Sequence, residues 1–379
     1  MKIPFMIASM ACALAITACT PKQQTSESLK DALAGKFFIG TAMNAPQIEG
    51  TDTAAIGVIT QHFNAIVAEN CMKSEELQPE QGKFDFTLAD KMIEFGMQNN
   101  MHIIGHTLIW HSQAPKWFFT DAQGNEVSRD TLIERMRTHI HTVVTRYKGR
   151  VKGWDVVNEA IEDDGSWRQS KFYKIVGEDF VRLAFEFAHE ADPDAELYYN
   201  DYSMAHEGRR QGVINMVKSL QQQGVKIHGI GMQGHMSMQF PEVSEFEKSL
   251  VAFANLGVKV MITELDVSIL PSPRRDVGAD VALNYDYQKE MNPYTEGLPD
   301  SISSALHQRY LDFFKLFIKH HDKINRVTLW GVHDGQSWKN DWPMRGRTDY
   351  PLIFDRNYEP KPIVAAIIEE AKKAASTEK

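Results

Sequence analysis

The chain has 379 residues, is 43% hydrophobic and carries a formal net charge of −9. That length suits one large domain or two small ones, and a barrel of alternating strands and helices fills it as one. The acidic balance argues against a nucleic-acid binder, which presents a basic face, and leaves a neutral polymer open as a substrate.

The N-terminus reads as a targeting segment. Lys2 precedes an apolar run over residues 3–16, and small residues follow up to Cys19. These are the charged, apolar and small-residue parts of a secretory signal, too short to span a membrane. Ile16-Thr17-Ala18-Cys19 resembles a bacterial lipobox, which implies a signal peptide over 1–18 and lipid on Cys19. Cys12 is a weaker rival, and plain cleavage without lipid is the blander alternative. The expected location is the bacterial envelope, held by lipid on the outer membrane, with either face open. Residues 19–34 are polar and read as a flexible tether, and the folded domain is expected at 35–375. Only Cys71 then remains beside the lipidated residue, so no disulfide within the chain is available and Cys71 reads as a small packed apolar group.

A strand–helix alternation begins near Phe37. Short apolar runs over 37–41, 63–68, 103–108, 153–157, 196–200, 227–232, 259–263 and 326–330 read as eight strands buried on both faces. Between them, apolar side chains recur at helical spacing over 131–147, 179–190 and 305–320. Such alternation gives a closed parallel barrel or an open doubly wound sheet. No Gly-x-Gly-x-x-Gly or phosphate-binding loop follows the first strand, which favours a single (β/α)₈ TIM barrel. One connection, 267–304, is unusually long and rich in Pro, Asp, Asn and Tyr. It follows the seventh strand, so it belongs to the face where barrel sites form.

The carboxyl ends of the strands carry the chemistry. In order they offer Glu69, Asn70 and Lys73; His106, Trp110, His111 and Gln113; Asn158 and Glu159; Asn200, Asp201 and Tyr202; Gln233 and His235; Glu264 and Asp266; and Trp330 with Trp338. Strand tips of one barrel share one mouth. Glu159 and Glu264 each close an apolar strand, where a carboxylate is costly to desolvate unless it has partners or a task. Two such groups meet the need of glycoside hydrolysis, an acid for the leaving oxygen and a carboxylate to attack or to activate water. Singly, each glutamate has a structural reading as the partner of a strand-tip cation, and each tryptophan a reading as rim packing. Trp117, Trp154 and Trp342 read as packing, and Asp155 as a hydrogen-bonding group below the site. His106 and His111 lack metal-site spacing, so no metal and no cofactor are expected.

Six runs resemble family 10 glycoside hydrolases, the endo-β-1,4-xylanases: those around Glu69-Asn70, Gly105-His106 to Gln113, Trp154 to Ala160, Gly231 to His235, Ile262 to Asp266, and Thr328 to Val332. The resemblance spans about residues 37–368. It implies a retaining hydrolase acting on xylan and xylo-oligosaccharides, with Glu159 as acid/base and Glu264 as nucleophile. It further implies that Asn158 bonds a sugar 2-hydroxyl, and that His235, oriented by Asp266, holds Glu264. Glu69, Asn70, Lys73, His106 and Gln113 would hold hydroxyls on the non-reducing side, walled by Trp110, Trp330 and Trp338. Gln233 and Tyr202 would flank the nucleophile and the reducing side. The loop over 267–304 is longer than in the simplest family members. Two alternatives stay open at this point: a sugar-binding surface lipoprotein without catalysis, and the same scaffold acting on β-1,4-glucan.

Overall fold

The computed structural model describes residues 27–272 and 285–377. Strands form where the apolar runs predict them: β1 (Phe38–Met43), β2 (Ala65–Ala68), β3 (His102–Trp110), β4 (Gly153–Asn158), β5 (Glu196–Asp201), β6 (Gly229–Met232), β7 (Lys259–Ser268) and β8 (Ile324–Leu329). Each pairs in parallel with the next. β8 returns to β1, with Phe38 opposite Arg326 and Thr41 opposite Leu329. That closure leaves the barrel no open edge, and decides for the (β/α)₈ barrel over the open sheet.

Two apolar layers hold the ring. Ala42, Val67, Ile104, Tyr198, Met261 and Trp330 pack inside it, and a larger layer lies between strands and helices. Trp154 belongs to the outer layer, as expected. Its six-membered ring lies where a Cβ on Gly105 would be, 2.1 Å away, so β3 and β4 tolerate only glycine at that crossing. The helix expected over 131–147 is Arg129–Arg146, started by Ser128, whose hydroxyl accepts from the Thr131 amide. The one expected over 179–190 is Asp179–Ala191. The one expected over 305–320 starts earlier, at Asp300 just after Pro299, because its polar first turn carries no apolar periodicity.

Three expectations shift. The seventh strand does not stop at Glu264 but runs on to Ser268, because a short strand, His235–Ser237, pairs with Asp266, Val267 and Ser268. The long connection is correspondingly shorter at both ends. At the N-terminus the tether does not reach residue 34. Ser28 caps a one-turn helix, Leu29–Ala32. Leu29 and Leu33 are fully buried against the C-terminal helix Pro362–Thr377 and β1. Two leucines in a polar stretch were the only sequence sign of this docking. Cys19 and the expected signal peptide lie outside the described residues.

Candidate active site

β4 ends at Asn158, and the next residue turns the chain. Glu159 has φ +61°, a left-handed backbone that a side chain with a Cβ adopts at a cost of about 1 kcal/mol or more. Three hydrogen bonds hold it there. The Glu159 amide donates to the Asn200 carbonyl at 2.9 Å, Arg168 donates to the Glu159 carbonyl at 2.9 Å, and the Ala160 amide donates to the Tyr199 hydroxyl at 2.9 Å. The turn brings the carboxylate back over the barrel mouth, where it is only 4% exposed.

Glu264 approaches from β7 and is 5% exposed. Both carboxylates line one pocket together with Glu69, Asn70, Lys73, His106, Trp110, Gln113, Asn158, Gln233, His235, Trp330 and Trp338. Thirteen of the eighteen strand-tip residues are therefore brought together. Asp266 stands behind it. Its Oδ2 pairs with His235 Nδ1 at 2.9 Å and accepts from Trp338 Nε1 at 2.8 Å. His235 Nε2 in turn lies 3.2 Å from Glu264 Oε2. Asp155 sits within β4 and pairs with His106 Nδ1 at 2.8 Å, the supporting place expected of it. Tyr202 does not line this pocket. Its hydroxyl accepts from Arg168 at 2.6 Å, and its ring lies over the Arg209 guanidinium at 4.0 Å.

The two glutamates are joined by an amide chain. Gln233 Nε2 donates to Glu159 Oε1 at 2.9 Å and to Asn158 Oδ1 at 3.2 Å. Asn200 Nδ2 donates to the same Asn158 oxygen at 3.0 Å and to Glu264 Oε1 at 2.7 Å. Asn158 and Asn200 are register partners across β4 and β5. Asn200 was visible at its strand tip, but nothing in the sequence showed that it reaches Glu264. On the other flank Lys73 Nζ donates to Asn70 and Gln113, each at 2.8 Å, and lies 4.9 Å from the Trp110 ring centre.

The environments drive the two carboxyls apart. Burial raises the proton affinity of Glu159, and the charge of buried Asp201 raises it further. Hydrogen bonds from Gln233 and Trp110 only partly offset this, leaving a pKa of about 7. Trp110 Nε1 donates to Glu159 Oε2 at 2.8 Å. Burial also pushes Glu264 up, but the hydrogen bond from His235, the charges of His106 and His235, and the donor Asn200 outweigh it and hold Glu264 below the usual carboxylate range. Asp201 belongs to a buried pair with Arg209 at 2.9 Å. Sequence reasoning missed this pair, because an arginine inside an ordinary helical pattern reads as a solvent-facing charge.

A buried pair of carboxyls with opposed proton affinities, over the mouth of a parallel barrel, defines the class: a barrel glycoside hydrolase. The profile of Glycosyl hydrolase family 10 matches residues 28–370, and the chain belongs to that family. Endo-1,4-beta-xylanase A of Xylanibacter ruminicola is 52% identical over 345 residues, covering 91% of this chain and 94% of that one. Endo-1,4-beta-xylanase of Geobacillus stearothermophilus is 42% identical, covering 88% and 96%. Among solved structures, a GH10 endoxylanase retrieved from a sugarcane soil metagenome superposes with a TM-score of 0.86 at 45% identity, over 91% of this chain and 99% of that one.

Proposed function

We propose that the protein is a retaining endo-1,4-β-xylanase acting on internal bonds of xylan. The observation that carries this is the split between Glu159, protonated up to about pH 7, and Glu264, held ionised by His235 and Asn200. Glu264 attacks the anomeric carbon while Glu159 gives its proton to the departing oxygen. A covalent glycosyl ester on Glu264 results. Loss of the Glu264 charge lowers the repulsion on Glu159, which then takes a proton from water, and the resulting hydroxide character hydrolyses the ester. Asn158 lies beside Glu159 and bonds the sugar 2-hydroxyl, a contact that strengthens as charge builds at the anomeric carbon. Lys73, Asn70, Gln113, Glu69 and His106 hold hydroxyls on the non-reducing side. Trp110, Trp330 and Trp338 wall that side, and a wall of indoles clashes with the hydroxymethyl arm of glucose but not with xylose.

Proton NMR of the first product from xylohexaose tests substrate and stereochemistry together. The expected result is a β-anomer at early times that later mutarotates, with no cleavage of the matching cello-oligosaccharide. An initial α-anomer overturns retention, and equal rates on both sugars overturn the xylan assignment.

We also propose that the protein is exported and held to the envelope by lipid on Cys19. The support is the sequence pattern around that residue. Cys19→Ser is expected to move the activity from the membrane fraction to the soluble fraction, and an unchanged distribution rules the anchor out.

A further inference from the structure

The turn at Glu159 is backed by more than its own strand. The loop that follows β4 lies directly on the helix Glu207–Gln222. A Cβ on Gly208 would stand 2.4 Å from the Asp163 carbonyl oxygen, and one on Gly212 would stand 2.6 Å from that of Gly165. Two glycines a turn apart thus let the backbone of the loop touch the backbone of the helix. Arg209, next to the first of them, is fully buried. It pairs with Asp163 of the loop at 2.9 Å and with Asp201 of β5 at 2.9 Å.

Asp201 passes this support on to the turn. Its Oδ1 accepts from Arg209 and from the Tyr202 amide, each at 2.9 Å, and its Oδ2 accepts from the Tyr199 hydroxyl. The same hydroxyl accepts from the Ala160 amide, the peptide that leaves Glu159, at 2.9 Å. Tyr199 is fully buried. Burial and the charge of Asp201 hold its proton well above the ordinary phenol range, so it stays a donor to Asp201 while it accepts from Ala160. The left-handed backbone of Glu159 is costly without such anchors. Gln233 and Trp110 hold the carboxyl oxygens of Glu159, but they act on a side chain whose starting point the turn sets.

We infer that Tyr199 is a positioning residue for the acid/base: its hydroxyl, fixed by Asp201 and Arg209, locks the turn that aims Glu159 at the departing oxygen. The inference rests on the reading of Glu159 as acid/base. Phenylalanine at this position keeps the packing of the ring and loses both hydrogen bonds. The buried Ala160 amide is then left without its partner, and the turn keeps two bonds of three. Conformers with Glu159 turned away from the substrate gain population. Glu264, Asn158 and the pocket residues on the Lys73 flank make no bond to Tyr199 and keep their places.

The test compares Tyr199→Phe with wild type on xylohexaose, whose leaving sugar needs a proton, and on a dinitrophenyl xylobioside, whose leaving group does not. The ratio of the two kcat/KM values is expected to fall about tenfold, the scale of one buried donor left unpaired. The loss should lie in kcat on xylohexaose, with KM within about twofold of wild type. A merely structural role lowers both substrates together. An unchanged ratio, or a loss carried by KM, therefore overturns the assignment. Should Tyr199→Phe fail to fold, Arg168→Leu, which removes the other side-chain anchor of the same turn, decides by the same ratio. Glu159→Ala, measured alongside, separates the two readings. If it shows no difference between the substrates, the acid/base assignment falls and the role of Tyr199 falls with it. If it shows the difference and Tyr199→Phe does not, only the role of Tyr199 falls.

Discussion

Glu264→Ala is expected to lower kcat/KM by about 10⁵-fold on every xylan substrate, natural or activated, the scale seen when a nucleophile is removed. The neighbours do not replace it. His235 is committed to Asp266, and Asn200 is an amide that donates toward the lost carboxylate. The variant should still fold, because the barrel is held by its two apolar layers and the substitution deletes a buried charge. A small external anion such as azide fits the vacated space. With an aryl xyloside it is expected to restore turnover and to give a product of inverted configuration. Activity within tenfold of wild type, measured by reducing-sugar release, rules out Glu264 as nucleophile.

Removing the other carboxyl has a different signature. Glu159→Ala is expected to lower kcat/KM on xylohexaose by about 10³-fold, within the range of general acid catalysis. On a dinitrophenyl xylobioside, whose leaving group needs no proton, the loss should stay under about tenfold. The pH profile supplies a second readout. Glu159 must be protonated to act, and its pKa is raised to about 7, so wild-type kcat/KM should fall as pH rises through 7. Glu264 must be ionised and is held low, so the acid limb should lie below the ordinary glutamate range. In Glu159→Ala, the limb near 7 should vanish while the acid limb stays. Equal losses on both substrates, or a surviving limb near 7, would remove Glu159 from the acid role.

The barrel and most of its pocket were legible in the sequence for a physical reason. Strands buried on both faces leave continuous apolar runs, and the polar residue that ends each run must stand at the mouth. That logic delivered both glutamates and the residues around them. It failed where a contact depends on register or on the path of a turn. Asn200 reaches Glu264 only because β4 and β5 pair Asn158 with Asn200. Tyr202 follows the same strand, and the arginine that donates to its hydroxyl, Arg168, is a partner that the sequence alone does not show. Asp201 and Arg209 pair out of sight, and an isolated sequence shows neither partner's burial.

The docked residues at the N-terminus bear on how the molecule meets its substrate. Leu29–Ala32 leads into the start of β1, and Glu27 forms an ion pair with Lys372 near the end of the C-terminal helix. The chain therefore enters the fold at the base of the barrel, on the side away from Glu159 and Glu264. Whatever precedes Glu27 in the chain therefore joins the fold at the end opposite the mouth. A fastening at that end leaves the pocket of Glu159 and Glu264 clear of the point of attachment.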